Sequence, residues 1–231
     1  MSFTETPGLA RVSIKKKDRG GWGWFSHGSS RSPKVTVAVP ARAAVEASAA
    51  GGGVSADGLQ AGADLDSAGG SVEVKNHAGG LEAESSGGSV RVVKAVGDVR
   101  ADSAGGSVEV QDVNGAVTLS SAGGSVRIER VTGKIKASAS GGGVEAVLAP
   151  GNAAGGTIES AGGGIRVAID PAVNLSLDAS AAGGSVVTDL PVRMKGEASR
   201  NDLKGDLGQG GPLLSLEASG GGIRIEALPA R

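Results

Sequence analysis

The sequence predicts an all-β fold: a single-stranded parallel β-helix, or β-solenoid, right-handed and built from 18-residue coils. Three observations predict it. A Gly-Gly signature recurs at a fixed interval, apolar residues alternate with polar ones, and aromatic residues make up only 2% of the chain. Self-similarity at a fixed period is typical of repeat architectures, in which each unit buries its apolar face only against its neighbours.

The Gly-Gly signature begins at Gly51, and its first glycine recurs every 18 residues as far as Gly141. It continues with wider spacing at Gly162, Gly183 and Gly220, which makes nine copies. We expect each pair to form a tight corner, because glycine tolerates positive φ and its missing side chain lets successive coils approach closely. The Gly, Ser and β-branched content disfavours helix throughout.

Each repeat contains two strand units with apolar residues at every second position, the period of strands that bury one face. A weaker third apolar position follows the first unit. A left-handed triangular helix would show three similar units in each coil, so two units favour a right-handed coil. Connections between parallel strands of one sheet are also almost always right-handed. Aligned repeats predict inward columns at Val54, Val72, Val90, Val108, Val126 and Val144, at Ala56, Val74, Val92, Val110, Ile128 and Ala146, at Ala63, Leu81, Val99, Val117 and Ile135, and, for the third position, at Leu59, His77, Ala95, Val113 and Val131.

An outward column alternates in charge along the repeats. Adjacent coils of a solenoid should lie about 4.8 Å apart, so each carboxylate is expected between two guanidinium groups. A slip of one coil would place like charges together, so the column favours a single register. Its members are Glu73, Arg91, Glu109, Arg127, Glu145 and, after the spacing changes, Arg166.

Residues 1–40 precede the repeat and are predicted to cap a solenoid that occupies residues 41–231. Two strands are expected, one around Val12 and Ile14 and one over residues 35–39, joined by a Gly/Ser-rich loop. A cap would cover the open end of the solenoid. The loop is alternatively a contact surface for a glycan or an anionic membrane surface, because it joins aromatic to basic side chains. These are Trp22, Trp24, Phe25, Lys15, Lys16 and Lys17.

Three insertions interrupt the repeat, near residues 146–153, 168–176 and 194–211. The first two are interpreted as loops at coil corners. The third is interpreted as a polar excursion beside one coil that lacks the signature. Insertions on solenoids often gather on one face and carry binding. Little sequence follows residues 223–228, so we expect the C-terminal coil to leave an end open to association.

Composition limits the classes of partner. The formal net charge of −1 gives no overall field for nucleic acid, so no nucleic-acid partner is expected. Cysteine is absent, which excludes disulfides and thiolate metal sites. No apolar run reaches the roughly 20 residues of a membrane span. The first residues lack a secretory signal, which predicts a cytoplasmic protein, or a cell-envelope protein if the true start lies upstream.

The sequence carries no catalytic motif of the GxSxG, Walker or HExxH type, and predicts neither an enzyme nor a cofactor. His77 is interpreted as a structural residue of the third apolar column. One outward acidic column could hold a cation weakly, because like charges at coil spacing repel, or could simply be solvated. Arg100 and Lys136 lie close enough to neutralise it. The column comprises Asp66, Glu84 and Asp102, with Asp64 and Glu82 beside it.

Three segments together resemble a known family. They are the Ser-(Ser/Ala)-Gly-Gly-Ser-Val repeats, KVTVAVP at residues 34–40 and GGPLLSLEASGGGIRI at residues 210–225. They are similar to a bacterial family named for a proposed adhesin role, whose domain of unknown function carries β-strand repeats. The resemblance covers roughly residues 34–231 and implies a β-solenoid, often in an envelope-associated setting. It brings no catalytic residue with it.

The sequence therefore predicts a non-catalytic β-solenoid that acts as an adhesin-like or scaffolding module. Its partner is not specified: a glycan, an envelope surface and self-association are all open. One alternative is a cytoplasmic scaffold that polymerises through its ends in the manner of bactofilins. Another is a carbohydrate-binding or carbohydrate-active β-helix, which for catalysis would require a deep groove lined by close carboxylates.

Overall fold

The computed structural model describes the backbone of residues 2–6, 9–14, 35–195 and 199–228, and side chains from residue 35 onward within those ranges. The predicted fold class is confirmed: the described chain is a parallel β-solenoid without helix and with about 18 residues per coil. Each coil places one strand in sheet A and one in sheet B, and the side chains between the two sheets form a single continuous core.

The strands follow one another in chain order with short connections. They are β1 (Ser2–Thr6), β2 (Leu9–Ile14), β3 (Ala44–Ala49), β4 (Val54–Asp57), β5 (Ala63–Ser67), β6 (Val72–Ala78), β7 (Leu81–Ser85), β8 (Val90–Val96), β9 (Val99–Ser103), β10 (Val108–Asn114), β11 (Val117–Ser121), β12 (Val126–Val131), β13 (Ile135–Ala139), β14 (Val144–Leu148), β15 (Gly156–Ser160), β16 (Ile165–Ile169), β17 (Leu175–Ala181), β18 (Val186–Thr188), β19 (Arg193–Met194), β20 (Asp202–Leu207), β21 (Leu213–Ala218) and β22 (Ile223–Ala227).

The two sheets stack the coils in register. Sheet A has the order β1-β2-β3-β5-β7-β9-β11-β13-β15-β21-β17-β20-β19, and sheet B has the order β18-β22-β16-β14-β12-β10-β8-β6-β4. Through the middle of the solenoid each strand pairs with its equivalent 18 residues away, as Val108 does with Val90 and Val126. The predicted inward columns are confirmed, since Val108 and Val110 are fully buried.

The third inward position is also confirmed, and a bend in the sheet B strand explains it. Val74 and His77 both point inward although they are three residues apart, which strict alternation would forbid. The residue before the third position adopts a left-handed backbone. This bend recurs in successive coils at Gly58 (φ 74°), Asn76 (φ 51°), Lys94 (φ 60°), Asp112 (φ 56°) and Arg130 (φ 55°).

The Gly-Gly corners depend on close approach and not on positive φ. No described glycine of these pairs has a left-handed φ, so that part of the prediction is wrong. A Cβ added to Gly106 would lie 2.6 Å from the backbone of Gly88 in the preceding coil, closer than real Cβ atoms come. The opposite corner does use positive φ, for example at Gly97 (φ 118°).

A buried serine ties most corners to the preceding coil. Ser103 is 4% exposed; its Oγ donates to the Gly88 carbonyl at 2.8 Å and accepts from the Gly106 N–H at 3.0 Å. Both bonds satisfy backbone groups at positions where the ladder ends. The same arrangement, on equivalent glycines, recurs at Ser67, Ser85, Ser121 and Ser160.

At the N-terminus, β1 and β2 form an antiparallel hairpin, and β2 continues sheet A in parallel with β3. The strand predicted around Val12 and Ile14 is confirmed, whereas the one predicted over residues 35–39 is wrong. The edge of β3 that this segment would need is already occupied by β2. Residues 35–41 instead cross the end of the core, where Val39 packs on it and a cavity of about 330 Å³ remains beside Leu59 and Leu65.

The C-terminal part of the chain departs from the expected coil order. The last coil, β21 and β22, lies between the β15–β16 coil and the β17–β18 coil, so it is not an open end. The predicted coil without a signature is also wrong. The residues between β18 and β21 instead form the short β19 and β20, and β20 pairs antiparallel with the outer edge of β17.

Candidate functional site

Two open grooves on the side faces are the candidate functional surfaces. One crosses sheet A in the N-terminal half and the other crosses sheet B in the C-terminal half. Both are floored by stacked backbone and edged by outward side chains of successive coils. Their charges are opposite, although the whole chain is nearly neutral.

The sheet A face carries the predicted acidic column. Asp66 pairs in register with Glu84, and Glu84 with Asp102, so the three carboxyl groups lie on successive coils. A second column beside it contains Asp64 and Glu82, followed by Arg100. We call the carboxylates of these columns, together with Glu46 next to Asp64, the acidic columns.

Crowding of carboxylates shifts their titration. Burial raises the pKa of Asp64 above its usual 3.8, and repulsion from the neighbouring Glu82 and Glu46 raises it further. Burial likewise raises the pKa of Glu84 above 4.5, assisted by the Asp102 and Glu82 carboxylates. Both shifts mean that burial, and then repulsion between neighbouring carboxylates, disfavour the ionised form of these two groups.

Arg100 relieves part of this repulsion at one end of the acidic columns. Its guanidinium lies 3.3 Å from the Glu82 carboxylate and 3.0 Å from that of Asp102. The carboxylates spread coil by coil over an open face. Within the part of the chain that the structure describes, no three His, Asp or Glu side chains are grouped so as to hold a metal ion.

The sheet B groove has a volume of about 410 Å³ and is floored by Gly143, Gly164 and Gly222, at a position where most other coils carry serine. Arg166 and Arg224 pair in register on neighbouring coils, which stacks two positive side chains. Both remain well exposed, at 60% and 50%. We call this surface, with Arg127 and Glu145 on its other side, the basic groove.

The two stacked arginines share one carboxylate. Glu226 lies 3.8 Å from the Arg166 guanidinium and 3.6 Å from that of Arg224. Arg127 is paired with Glu145 at 2.8 Å. The groove therefore holds three guanidinium groups against two carboxylates, and its excess positive charge lies at the Arg166–Arg224 stack.

The predicted alternating charge column is confirmed as a column, but its ion pairs are separate and not continuous. Arg91 pairs with Glu109 at 2.8 Å, and Glu73 turns to Lys75 on its own strand at 2.7 Å. Alternation ends where Arg166 meets Arg224. Sequence reasoning missed the basic groove because Arg166 and Arg224 are 58 positions apart (224 − 166) and become neighbours only through the coil order.

The remaining predicted site residues lie elsewhere. Trp22, Trp24, Phe25, Lys15, Lys16 and Lys17 fall outside the described residues. His77 is 2% exposed and its Nε2 lies 3.2 Å from the Gly80 carbonyl, which agrees with a structural role. No helix suited to crossing a membrane occurs in the described ranges.

Comparison with known proteins identifies the family. No curated protein and no solved structure is significantly similar to the chain. The model of the Toastrack DUF4097 family matches residues 9–226, which takes in every coil described above together with β2 of the N-terminal hairpin. Because this match spans almost the whole sequence, the chain belongs to the Toastrack DUF4097 family.

Proposed function

We propose that the protein is a non-catalytic, adhesin-like or scaffolding module that engages its partner through the side faces of the solenoid. The observation that carries this proposal is the separation of charge: the acidic columns lie on sheet A in one half, and the basic groove lies on sheet B in the other. Oppositely charged faces on a rigid framework favour selective, oriented contacts.

The shape of these surfaces supports binding over catalysis. Acid–base chemistry on a glycan requires two carboxyl groups facing each other across the bond to be cleaved. The carboxylates of the acidic columns instead stand side by side on an open face, each in register with the next. The basic groove brings together arginines, which bind anionic groups well but are poor proton donors because they stay charged.

The two ends of sheet A favour binding through the side faces of the solenoid over end-to-end stacking. Sheet A begins at the antiparallel hairpin strand β1 and finishes at the antiparallel strands β20 and β19. Antiparallel strands interrupt the parallel pairing that end-to-end stacking would continue. Closing strand edges in this way is a usual protection against uncontrolled association.

End-to-end assembly in the manner of bactofilins is the second candidate, and sheet B favours it. Its outermost strands among the described residues are β4 and β18, and neither is covered by an antiparallel strand. They have only four and three residues, however, so each offers few backbone groups to another chain. Short edge strands weaken this candidate relative to binding through the faces.

An anionic glycan is the partner that best suits the basic groove. The carbonyls of Gly143, Gly164 and Gly222 already accept ladder hydrogen bonds from the neighbouring coil, so the floor does not require a peptide strand. A flat sugar ring could lie over this bare backbone while its acid group meets Arg166 and Arg224. Guanidinium groups bind carboxylate and sulfate in a bidentate manner.

The test is binding of the full chain to immobilised polygalacturonate, with neutral dextran as the comparison, at low and moderate salt. We expect salt-sensitive binding to polygalacturonate alone. The double variant Arg166→Gln/Arg224→Gln should lower affinity at least tenfold. The matched control is Arg91→Gln, which removes an arginine of the same outward column on a coil outside the groove, and its affinity should stay within about twofold of the parent.

Three results would contradict the proposal. Equal losses in the control and in the double variant would mean that the groove has no special part in binding. Release of reducing ends from polygalacturonate would show catalysis. Growth of the unmodified protein into long rods on raising its concentration, followed by light scattering, would favour end-to-end assembly instead.

A further inference from the structure

The C-terminal coil occupies a slot between two coils that precede it in the chain. Strand β21 pairs in parallel with β15 on one side and with β17 on the other. On sheet B, β22 pairs with β16 and with β18. Without these two strands, the coils on either side would be separated by one empty coil position.

The slot is shaped to receive this segment. Leu214, Leu216, Ile223 and Ile225 are at most 1% exposed and fill the core between the neighbouring coils. Its corners are bonded in both directions: the Ser219 N–H donates to the carbonyl of Ser160 at 2.9 Å, and the Ala182 N–H donates to that of Ala218 at 2.8 Å. The slot is thus a binding site for an extended apolar segment with the sequence of residues 213–227.

The segment joins the rest of the chain through a short glycine-rich hinge, residues 208–212. Gly208 (φ 63°) and Gly210 (φ 77°) both have left-handed backbones there. Each hinge residue takes part in a hydrogen bond, for example the Gln209 N–H with Asn174 Oδ1 at 2.8 Å, so exchange must break and re-form these contacts. Strand β20 lies on the opposite side of β17 from β21, so the strand that leads into the hinge makes no ladder with the last coil.

Insertion of this coil also brings like charges together. Arg166 meets Arg224 on sheet B, and Glu159 meets Glu217 on sheet A, each pair in register on neighbouring coils. Like charges directly opposite each other on a sheet are destabilising. On sheet B, Glu226 of the same segment offsets part of this repulsion, since it lies 3.8 Å from Arg166 and 3.6 Å from Arg224. The segment is therefore held chiefly by apolar burial and backbone bonding.

We propose that the C-terminal coil is exchangeable, and that a second copy of this chain can donate its residues 213–227 to the slot. Neither copy loses an interface in the exchange, because the donated segment has the same sequence and makes the same contacts. Reciprocal exchange closes a symmetric dimer, in which only the hinge changes conformation. The slot stays open during folding until a C-terminal coil arrives, so concentration decides which copy supplies it.

The test uses the full chain, which has no cysteine of its own. The variant Thr157→Cys/Ser215→Cys places a cysteine pair at an in-register position of β15 and β21. The protein is unfolded in urea, refolded over a range of concentrations, oxidised, and analysed by denaturing non-reducing electrophoresis. We expect a covalent dimer whose share rises with refolding concentration at least fivefold across a hundredfold range, with a mass of two chains by light scattering before denaturation.

A matched control places the pair within the central coils. Thr118→Cys/Lys136→Cys joins β11 to β13, which stay in one chain whether or not the C-terminal coil is exchanged. It should cross-link within the chain at every concentration. Covalent dimers in this control at the same level would show that the dimers come from random collisions.

A hinge variant makes the outcome decisive. Deleting Gly210 and Gly211 shortens the connection that lets the coil return to its own slot, so the share of dimer should rise. Cross-links confined to single chains at every concentration, in the parent pair and in the shortened variant, would overturn the proposal. Covalent species larger than two chains would overturn the closed dimer.

Discussion

At the scale of single residues, the repeat is explained by hydrogen bonds that its glycines alone do not reveal. In five of the nine Gly-Gly pairs, the residue three positions before the second glycine is a buried serine that bonds backbone groups of two successive coils. The other four pairs have alanine there, among them Ala139, which is 1% exposed and lacks the hydroxyl. Small residues precede Gly-Gly for two reasons: little room is available there, and a serine hydroxyl can both donate and accept a hydrogen bond with the backbone.

Ser103→Ala and Ala139→Ser should change stability in opposite directions. The first removes the partner of the Gly88 carbonyl and the Gly106 N–H in a buried place, at a cost of about 1–3 kcal/mol. The second adds a hydroxyl at a position where neighbouring coils have a hydrogen-bonded serine, and should raise the free energy of unfolding by about 0.5–1.5 kcal/mol. Urea unfolding measures both. Loss of stability in Ala139→Ser would mean that this coil has no room for the hydroxyl.

Lys94→Gly should stabilise the protein despite removing a side chain. Lys94 has a left-handed backbone (φ 60°), which costs an L-residue roughly 1–2 kcal/mol, whereas glycine adopts it freely and loses about 0.5–1 kcal/mol of chain entropy. The free energy of unfolding should therefore rise by up to about 1 kcal/mol. The control is Lys136→Gly, in a regular strand, which should lower it by a similar amount. A loss in both variants would argue against strain at Lys94.

At the scale of elements, parallel stacking in register turns each outward position into a column of one chemical kind. Where signs alternate, as in Arg91 and Glu109, the coils attract through an ion pair at 2.8 Å. Where they do not, as in the acidic columns, like charges face each other, and burial together with this repulsion raises the pKa values of Asp64 and Glu84. Stacking in register therefore has two outcomes. Alternating charges hold neighbouring coils in alignment, whereas like charges create a charged surface.

Glu84→Gln should stabilise the protein near neutral pH and make no difference in acid. The pKa of Glu84 in the folded protein is raised, so its stabilising proton is fully bound below the usual value of 4.5 and is lost as pH rises through the raised pKa. The ionised group therefore weakens the fold at pH values above that point. Thermal unfolding across pH compares this variant with Glu109→Gln, which loses its ion pair and should be less stable near neutrality. Lower stability of Glu84→Gln at neutral pH would contradict the raised pKa of Glu84 and its causes, burial and repulsion from the neighbouring carboxylates.

At the scale of the whole molecule, chain order and spatial order differ. The last coil in sequence is an inner coil in space, and the outer position belongs to β17 and β18. Contacts between distant parts of the chain slow folding, since a long loop must close before they form. The C-terminal half is therefore completed only when the end of the chain has reached its slot.

Hydrogen exchange should show this order directly. Amides of β21 and β22 are paired on both sides, so they should exchange as slowly as those of β9 and β10 in the middle of the solenoid. Strands β4 and β18, at the edges of sheet B, should exchange faster. Faster exchange in β22 than in β18 would place the C-terminal coil on the outside and would contradict the observed coil order.

The sequence by itself determined the coil length, the inward columns and the acidic column, because alternation and an 18-residue period are local properties repeated along the chain. Only the tertiary structure decided three features. Residues 35–39 form no strand because β2 holds the edge of β3, and the left-handed bend at Asn76 is what turns His77, already predicted to be inward, into the core. Arg166 meets Arg224 because the last coil stacks between two earlier coils. The repeat pattern does not specify this order, since the apolar face of one coil can pack on that of any other. The order of the coils depends instead on which strand occupies each free sheet edge.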